Sequence, residues 1–292
     1  MIQLLAKHAL LAAARLLLLC VVIFLILRSA ESYYDRDLSF VEFFQAMFSG
    51  RLVRAPGLTG LPPLPTAFLY SLTTLTAALL LSYGFGGPLG VVLGRYRMPW
   101  AQVLGHVVIS VALATPAFLV AYVVLYVSIS DFGIFIGGES AMASGGSPRA
   151  FAGQCLLLAI PLSLPGIAMI ARQVSQTVFN AFPEGSLRAF RSLGITQRMI
   201  FDTVIISAIW TPLLRALPFL LSLFLSILIV TETAFFIPGF GYSIFKSAKE
   251  SDLQSLAVLS LWASTALLAA NAFVDVLVEW IDTRNPAISE AE

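Results

Sequence analysis

Charge is what this chain has least of. Only 11% of its 292 residues are Asp, Glu, Lys or Arg, against about 25% in an ordinary soluble domain. A soluble fold of this length could not clothe its core in so little polar surface. The formal net charge is +1 and no Lys/Arg tract occurs, so nothing points to nucleic acid as a partner. Cysteine is scarce as well. Cys20 and Cys155 both stand in apolar stretches, where cysteine serves as a small buried residue rather than as a disulfide half or a metal ligand. The two histidines, His8 and His106, are isolated, so no metal site and no catalytic residue is assigned. The phosphate-cradling pattern Gly-x4-Gly-Lys-Ser/Thr is missing, which excludes a nucleotide-binding loop of that kind.

What is present is apolar residue in long runs, 59% of the chain. A helix needs about 20 mostly apolar residues to cross the hydrocarbon of a bilayer. Six stretches meet that demand: 9–27, 66–93, 101–129, 150–171, 212–234 and 253–280. Helices satisfy every backbone group internally, so the expected class is an all-α membrane protein with six transmembrane helices. The first run ends in Arg28-Ser29-Ala30, which puts arginine where a signal-peptide cleavage site wants a small residue. It is therefore expected to be retained, with its N-terminus in the cytoplasm. Glycine and proline inside the runs (Gly84, Gly86, Gly87, Pro88, Pro116, Pro161, Pro165, Pro218) predict a closely packed bundle with kinked members.

An inside N-terminus also places the C-terminal tail in the cytoplasm. Arg95, Arg97, Arg172, Arg188, Arg191 and Arg198 then lie on cytoplasmic loops, against Arg149, Lys246 and Lys249 on the two short external ones. That asymmetry agrees with the positive-inside rule. The first external segment, 28–65, mixes both signs and crowds Phe40, Phe43, Phe44 and Phe48 together, a pattern suited to a short helix in the outer interface or to packing on the bundle. Domains are expected at 1–65 (first helix and external segment), 66–286 (core) and 287–292 (cytoplasmic tail).

The cytoplasmic loop 172–211 is too long for a bare connection, which needs 2–8 residues. Residues 186–193 can form a short helix that Gly194 ends in the left-handed C′ position. Thr196 can cap the next helix, which runs on into the fifth span. Arg188, Arg191 and Arg198 alternate there with Phe190, Leu193 and Ile195. Such a hairpin is either a solvated face at the lipid headgroups or a docking element for a cytoplasmic partner, and its apolar residues favour docking.

Arg188-Ala189-Phe190, followed after three intervening residues by Gly194, resembles the EAA loop of binding-protein-dependent ABC permeases. The peptide and nickel branch often carries Arg in place of the Glu and a proline 18 residues past the glycine, the position of Pro212. Phe190 stands where the family has a small residue. Val230-Thr231-Glu232-Thr233 with Phe236-Ile237-Pro238-Gly239-Phe240-Gly241 is similar to the family's V-E-T-x-F-x-x-P-G-L-G. Gly87-Pro88-Leu89-Gly90, Ala114-Thr115-Pro116-Ala117-Phe118 and Asp282-Thr283-Arg284-Asn285-Pro286 resemble further pieces, in the family's order. The resemblance implies a type I ABC importer permease fold in a bacterial inner membrane. It implies a second permease subunit, usually a different chain, two ATPase subunits that hold ATP and Mg, and an external substrate-binding protein. Glu184, Arg188, Ala189, Phe190, Arg191, Gly194, Ile195, Thr196 and Arg198 would then contact an ATPase, with Arg95 and Arg97 as a second cytoplasmic contact. Cargo of the relatives ranges over peptides, metal chelates, glutathione, haem and antimicrobial peptides.

Glu232, 20 residues past Pro212, falls about 30 Å along a helix, near the outer interface. With Pro238 and Gly239 it is a candidate for the pathway or an outer gate, since a carboxylate at membrane depth is a functional candidate. A structural role, capping a helix or pairing with Lys246 or Lys249, is the equal alternative. Among other functions, a stand-alone channel or secondary transporter is the rival, but no internal repeat or mid-membrane ion pair supports it. An intramembrane serine hydrolase fails because Ser144-Gly145-Gly146-Ser147 has no matching histidine.

Overall fold

The structure, a computed structural model, describes residues 13–25, 45, 64–95, 99–130, 148–181 and 206–284. Helices account for nearly all of them: α1 (Ala13–Leu25), α2 (Leu64–Arg95), α3 (Pro99–Ala114), α4 (Ala117–Ser130), α5 (Pro148–Ala181), α6 (Ile206–Ala234), α7 (Phe240–Lys249) and α8 (Leu253–Arg284). Helix α5 is the hub, packed along α2 and touched by α3, α4 and α6. Helices α6, α7 and α8 pack on one another, and α1 lies on the start of α8 through Cys20, Ala257, Val258 and Leu261.

The α2–α5 seam follows from glycine spacing. Gly86, Gly90 and Gly94 recur every fourth residue and so share one face of α2. A Cβ at Gly90 would stand 2.6 Å from the Ala171 carbonyl oxygen, and one at Gly94 2.8 Å from that of Ser175. Only hydrogen fits where the two backbones meet, which is the small-residue packing of membrane helices. Around this seam Ala78, Leu162, Ile170, Val174, Leu220 and Phe224 form the largest buried cluster.

Four helices are long and apolar enough to span a membrane: Pro65–Arg95, Ala152–Asn180, Ala208–Ala234 and Ser255–Glu279. The expected single span over 101–129 needs correction. It is two helices, Gly105–Ala114 and Ala117–Ser130, set at 88°, a fifth span only if the bent pair is counted as one. Pro116 has no N–H to continue α3, and Thr115 turns its hydroxyl back to the Val111 carbonyl at 2.7 Å. The Pro116 carbonyl accepts the Leu119 N–H at 3.0 Å and opens α4. The first run is described only over Ala13–Leu25, shorter than a full crossing. The described residues therefore hold four spans, or five if the bent pair is counted as one.

Other prolines stay inside their helices: Pro88, Pro161, Pro165, Pro212 and Pro218. Between Pro212 and Pro218 the Leu213 carbonyl accepts a hydrogen bond from the Tyr83 hydroxyl of α2 at 2.8 Å. Helices α5 and α6 also extend beyond the expected apolar stretches, to Ala181 and back to Ile206. They take up 172–181 and 206–211 of the expected cytoplasmic loop, and 182–205 lies outside the described residues.

Candidate functional site

The polar residues best defined in the apolar interior meet where α6 ends. There α6 closes with two backbone hydrogen bonds, Ile237 N–H to the Glu232 carbonyl at 2.9 Å and Phe236 N–H to the Thr233 carbonyl at 3.2 Å. These are the two bonds of a Schellman ending, which requires a left-handed residue at C′. Phe236 occupies that place with φ 53, where glycine is the usual residue. Its ring is largely exposed, so little packing depends on it. Phe236→Gly is expected to stabilise the protein by about 0.5–1 kcal/mol, the left-handed strain relieved less the added freedom of the unfolded chain. A rise in thermal midpoint of the purified protein checks this.

The chain then turns through Pro238 and Gly239 into α7, and Glu232 reaches across the turn. Its carboxylate is 1% exposed. It accepts the Ser71 hydroxyl at 2.5 Å and the Tyr242 N–H at 2.9 Å. Ser71 in turn accepts the Phe240 N–H at 2.8 Å. The first N–H groups of a helix have no intrahelical partner, and here Glu232 and Ser71 supply acceptors for those of Tyr242 and Phe240. A carboxylate is also the favoured charge at that end of a helix dipole. No side chain of Gly239, the N-cap residue of α7, takes part.

Gly239 is required for a different reason. A Cβ on it would fall 2.3 Å from the Glu232 carboxyl carbon, and one on Gly241 would fall 2.9 Å from the Ile229 Cα. The Pro-Gly-x-Gly run is thus a narrow passage past a buried carboxylate. Phe240 adds an edge-to-face contact with Phe68 of α2, centroids 5.9 Å apart. Beneath it the Tyr70 hydroxyl donates to Gln154 at 2.5 Å, and Thr73 lies 3.2 Å from the Cys155 sulfur. Three helices, α2, α6 and α7, are tied at one point.

Of the two roles open to Glu232, the geometry is that of the cap. Its hydrogen-bond partners are all neutral, and Lys246 Nζ lies 3.9 Å from Glu250 instead. With its oxygens facing the Ser71 hydroxyl and the Tyr242 N–H, the Glu232 side chain orders the chain at this turn. The structure brings together Glu232, Pro238 and Gly239, as their proximity in sequence suggested. It adds Ser71 and Tyr242, which sequence reasoning missed; a serine inside the apolar run of α2 was the available signal. Arg95 is exposed in the last turn of α2. Arg97 and the docking candidates Glu184, Arg188, Ala189, Phe190, Arg191, Gly194, Ile195, Thr196 and Arg198 lie outside the described residues.

Residues 86–285 match the family described as binding-protein-dependent transport system inner membrane component. The chain is 24% identical over 220 residues to the nickel import system permease protein NikB of Staphylococcus aureus (strain USA300), an alignment covering 75% of this chain and 62% of NikB. The chain thus spans less than two thirds of that relative. It is 25% identical over 249 residues to the "Probable D,D-dipeptide transport system permease protein DdpB" of Escherichia coli (strain K12), covering 77% of this chain and 73% of the relative. Among solved structures, a chain of the inward-facing MetNI methionine ABC transporter superposes with a TM-score of 0.53 at 17% identity, over 75% of this chain and 95% of the other. That likeness shows the fold.

Proposed function

This chain belongs to the binding-protein-dependent transport system inner membrane components, and from that premise we propose that it is the permease subunit of an ATP-driven ABC importer. The family is a transporter component and not an enzyme. In this reading two permease subunits enclose the translocation pathway, two ATPases lie beneath them, and an external binding protein delivers the cargo. Both termini are cytoplasmic, the six expected spans sit in a bacterial inner membrane, and the fold is that of a type I importer.

One observation carries the reading: the family match covers 86–285. It therefore takes in α5, α6, α7 and all of α8, and also the arginine-bearing segment between α5 and α6. That segment, with Glu184, Arg188, Ala189, Phe190, Arg191, Gly194, Ile195, Thr196 and Arg198, is the ATPase-coupling site. Arg95 and Arg97 make a lesser contact on the same side. The cargo is a peptide or a related small polar solute, in keeping with the names of the relatives. Glu232, Pro238 and Gly239 hold the outer end of the pathway as a tied corner.

Purification from native membranes tests the assignment. An ATPase is expected to co-elute with the chain, and uptake into vesicles is expected to require ATP. A chain that elutes alone and moves solute without ATP would instead be a stand-alone channel or secondary transporter.

A further inference from the structure

Most of the outward surface of the bundle suits lipid. Val103 and Val107 of α3 are exposed and apolar, and so are Trp262 and Phe273 of α8. Both helices are continuous at those residues, so no backbone group is offered to the hydrocarbon. The break between α3 and α4 is different. Its two sides pack at different levels of α5, whose span runs over Ala152–Asn180. On the α3 side Ile109 lies with Ala168 and Ala171, towards one end of that span. On the α4 side Ala121 lies with Cys155 and Leu158, towards the other. Pro116 falls between these levels, beside the middle of the span.

Backbone is left unpaired at that depth. The last carbonyls of a helix have no intrahelical donor, and Pro116 has no N–H to offer. The Val111 carbonyl accepts the Thr115 N–H at 2.9 Å, while the Leu119 and Val120 N–H groups both go to the Pro116 carbonyl. No backbone donor among the described residues reaches the carbonyls of Ala112, Leu113 or Ala114. Leu113, Ala114, Pro116 and Phe118 are exposed, so the break is open to whatever lies beside the bundle. Lipid is excluded, because irregular backbone is tolerated at membrane depth only against protein or water. The exposed side chains that flank the break, Val111, Leu113, Phe118 and Leu119, are apolar. That is the character of the core of a protein contact.

The same surface also offers a donor. Tyr122 of α4 is exposed and stands six residues past Pro116, about 9 Å of helix. A helical side chain leans towards the N-terminus of its own helix, which carries this hydroxyl back towards the level of the break. A surface with acceptors and a donor at one depth can meet a like surface across a two-fold axis along the membrane normal.

We propose that the α3–α4 break is the seat of a partner permease of the same fold, with Tyr122 donating to the partner's carbonyls at the matching break. A donor on the partner serves the Ala112, Leu113 and Ala114 carbonyls in return. The proposal rests on the permease reading and adds to it the surface through which the two subunits meet.

The test uses the whole transporter in native membranes. Benzoylphenylalanine is placed at Phe118, and at Leu119 as a second site should the first variant insert poorly. The same group at Phe273, on the apolar face of α8, is the control. On illumination the break positions are expected to give a covalent pair. Mass spectrometry of the band should identify its second member as a copy of this chain or another chain of its family. Phe273 is expected to give no such pair. Cross-links from the break that reach only lipid, an ATPase or the same chain would overturn the proposal, and so would equal pairing from Phe273. Leu113→Cys separates protein from water, because a thiolate forms only where water reaches the sulfur. It is expected to resist a membrane-impermeant thiol reagent, over the background of the buried Cys20 and Cys155. Fast labelling would overturn the contact and make the break part of a water-filled path. Tyr122→Phe removes only the hydroxyl. In a detergent dilution series it is expected to weaken pairing about threefold, the worth of one interhelical hydrogen bond in a membrane. Unchanged pairing would overturn the match of donor and acceptor. ATPase co-elution is scored on the same membranes. Pairing without an ATPase would sink the importer reading and leave the surface standing, whereas an ATPase without pairing would sink the surface alone.

Discussion

Glu232→Leu is expected to untie α7 from α6 and to lower the stability of the protein by about 2 kcal/mol. The leucine keeps the volume but removes both acceptor oxygens. The Tyr242 N–H then loses its acceptor, at a cost of about 1–3 kcal/mol. Ser71 loses its own acceptor but still receives the Phe240 N–H, so its share of the loss is smaller. Glu232→Gln separates the hydrogen bonds from the charge. Its carbonyl oxygen can take the Tyr242 N–H, and its amide can donate to the free lone pair of Ser71. The glutamine variant should therefore lose about 1 kcal/mol, chiefly the favourable placement of an anion at a helix N-terminus. Unfolding can be followed with a fluorogenic thiol dye, because Cys20 and Cys155 are both free and buried. A leucine variant as stable as the native chain would show that the carboxylate is not what holds the corner. A glutamine variant as damaged as leucine would mean that the charge matters more than the hydrogen bonds.

How far this architecture can be read without coordinates differs from element to element. Hydropathy located α2, α5, α6 and α8 because lipid demands about 20 apolar residues in a row. It cut α5 short at 171, where Arg172, Gln173 and Gln176 begin. The helix continues to Ala181 because its backbone bonds form equally well beyond the hydrocarbon. Proline was the ambiguous signal. Pro218 stays within α6, whereas Pro116 separates two helices at 88°. The residue type is the same, so the residue alone does not tell a continued helix from a broken one. The Glu232 cap was legible as an alternative only. Its chief side-chain partner, Ser71, is 161 residues away, and the left-handed turn at Phe236 carries no glycine to announce it. The Asp252 cap is local but went unread: its carboxylate accepts the Ser255 N–H at 3.1 Å, the spacing of an N-cap.

Gly194→Val is expected to leave the chain folded and inserted in the membrane while ATP hydrolysis no longer drives uptake. The helix proposed over 186–193 and the one that Thr196 caps are separated only by Gly194 and Ile195. So short a reversal calls for a left-handed residue at C′. A Cβ in that conformation costs about 1–2 kcal/mol, and a β-branched residue more. In the proposed hairpin the turn would reopen rather than bear that strain. Arg188 and Arg198 would then no longer face an ATPase together. The buried seam of Gly86, Gly90 and Gly94 against α5 is elsewhere in the chain and stays intact, so insertion and membrane yield should match the native protein. Uptake in vesicles is expected to fall about tenfold or more, which corresponds to 1.4 kcal/mol or more of lost coupling. Gly194→Asn provides the discriminating comparison. Asparagine tolerates the left-handed region far better than valine, so it should retain most of the uptake. Retention ordered Gly, Asn, Ala, Val would tie the loss to backbone conformation. Native uptake by the valine variant would remove Gly194 from the coupling site, and equal losses for asparagine and valine would place the fault in side-chain bulk at the docking surface.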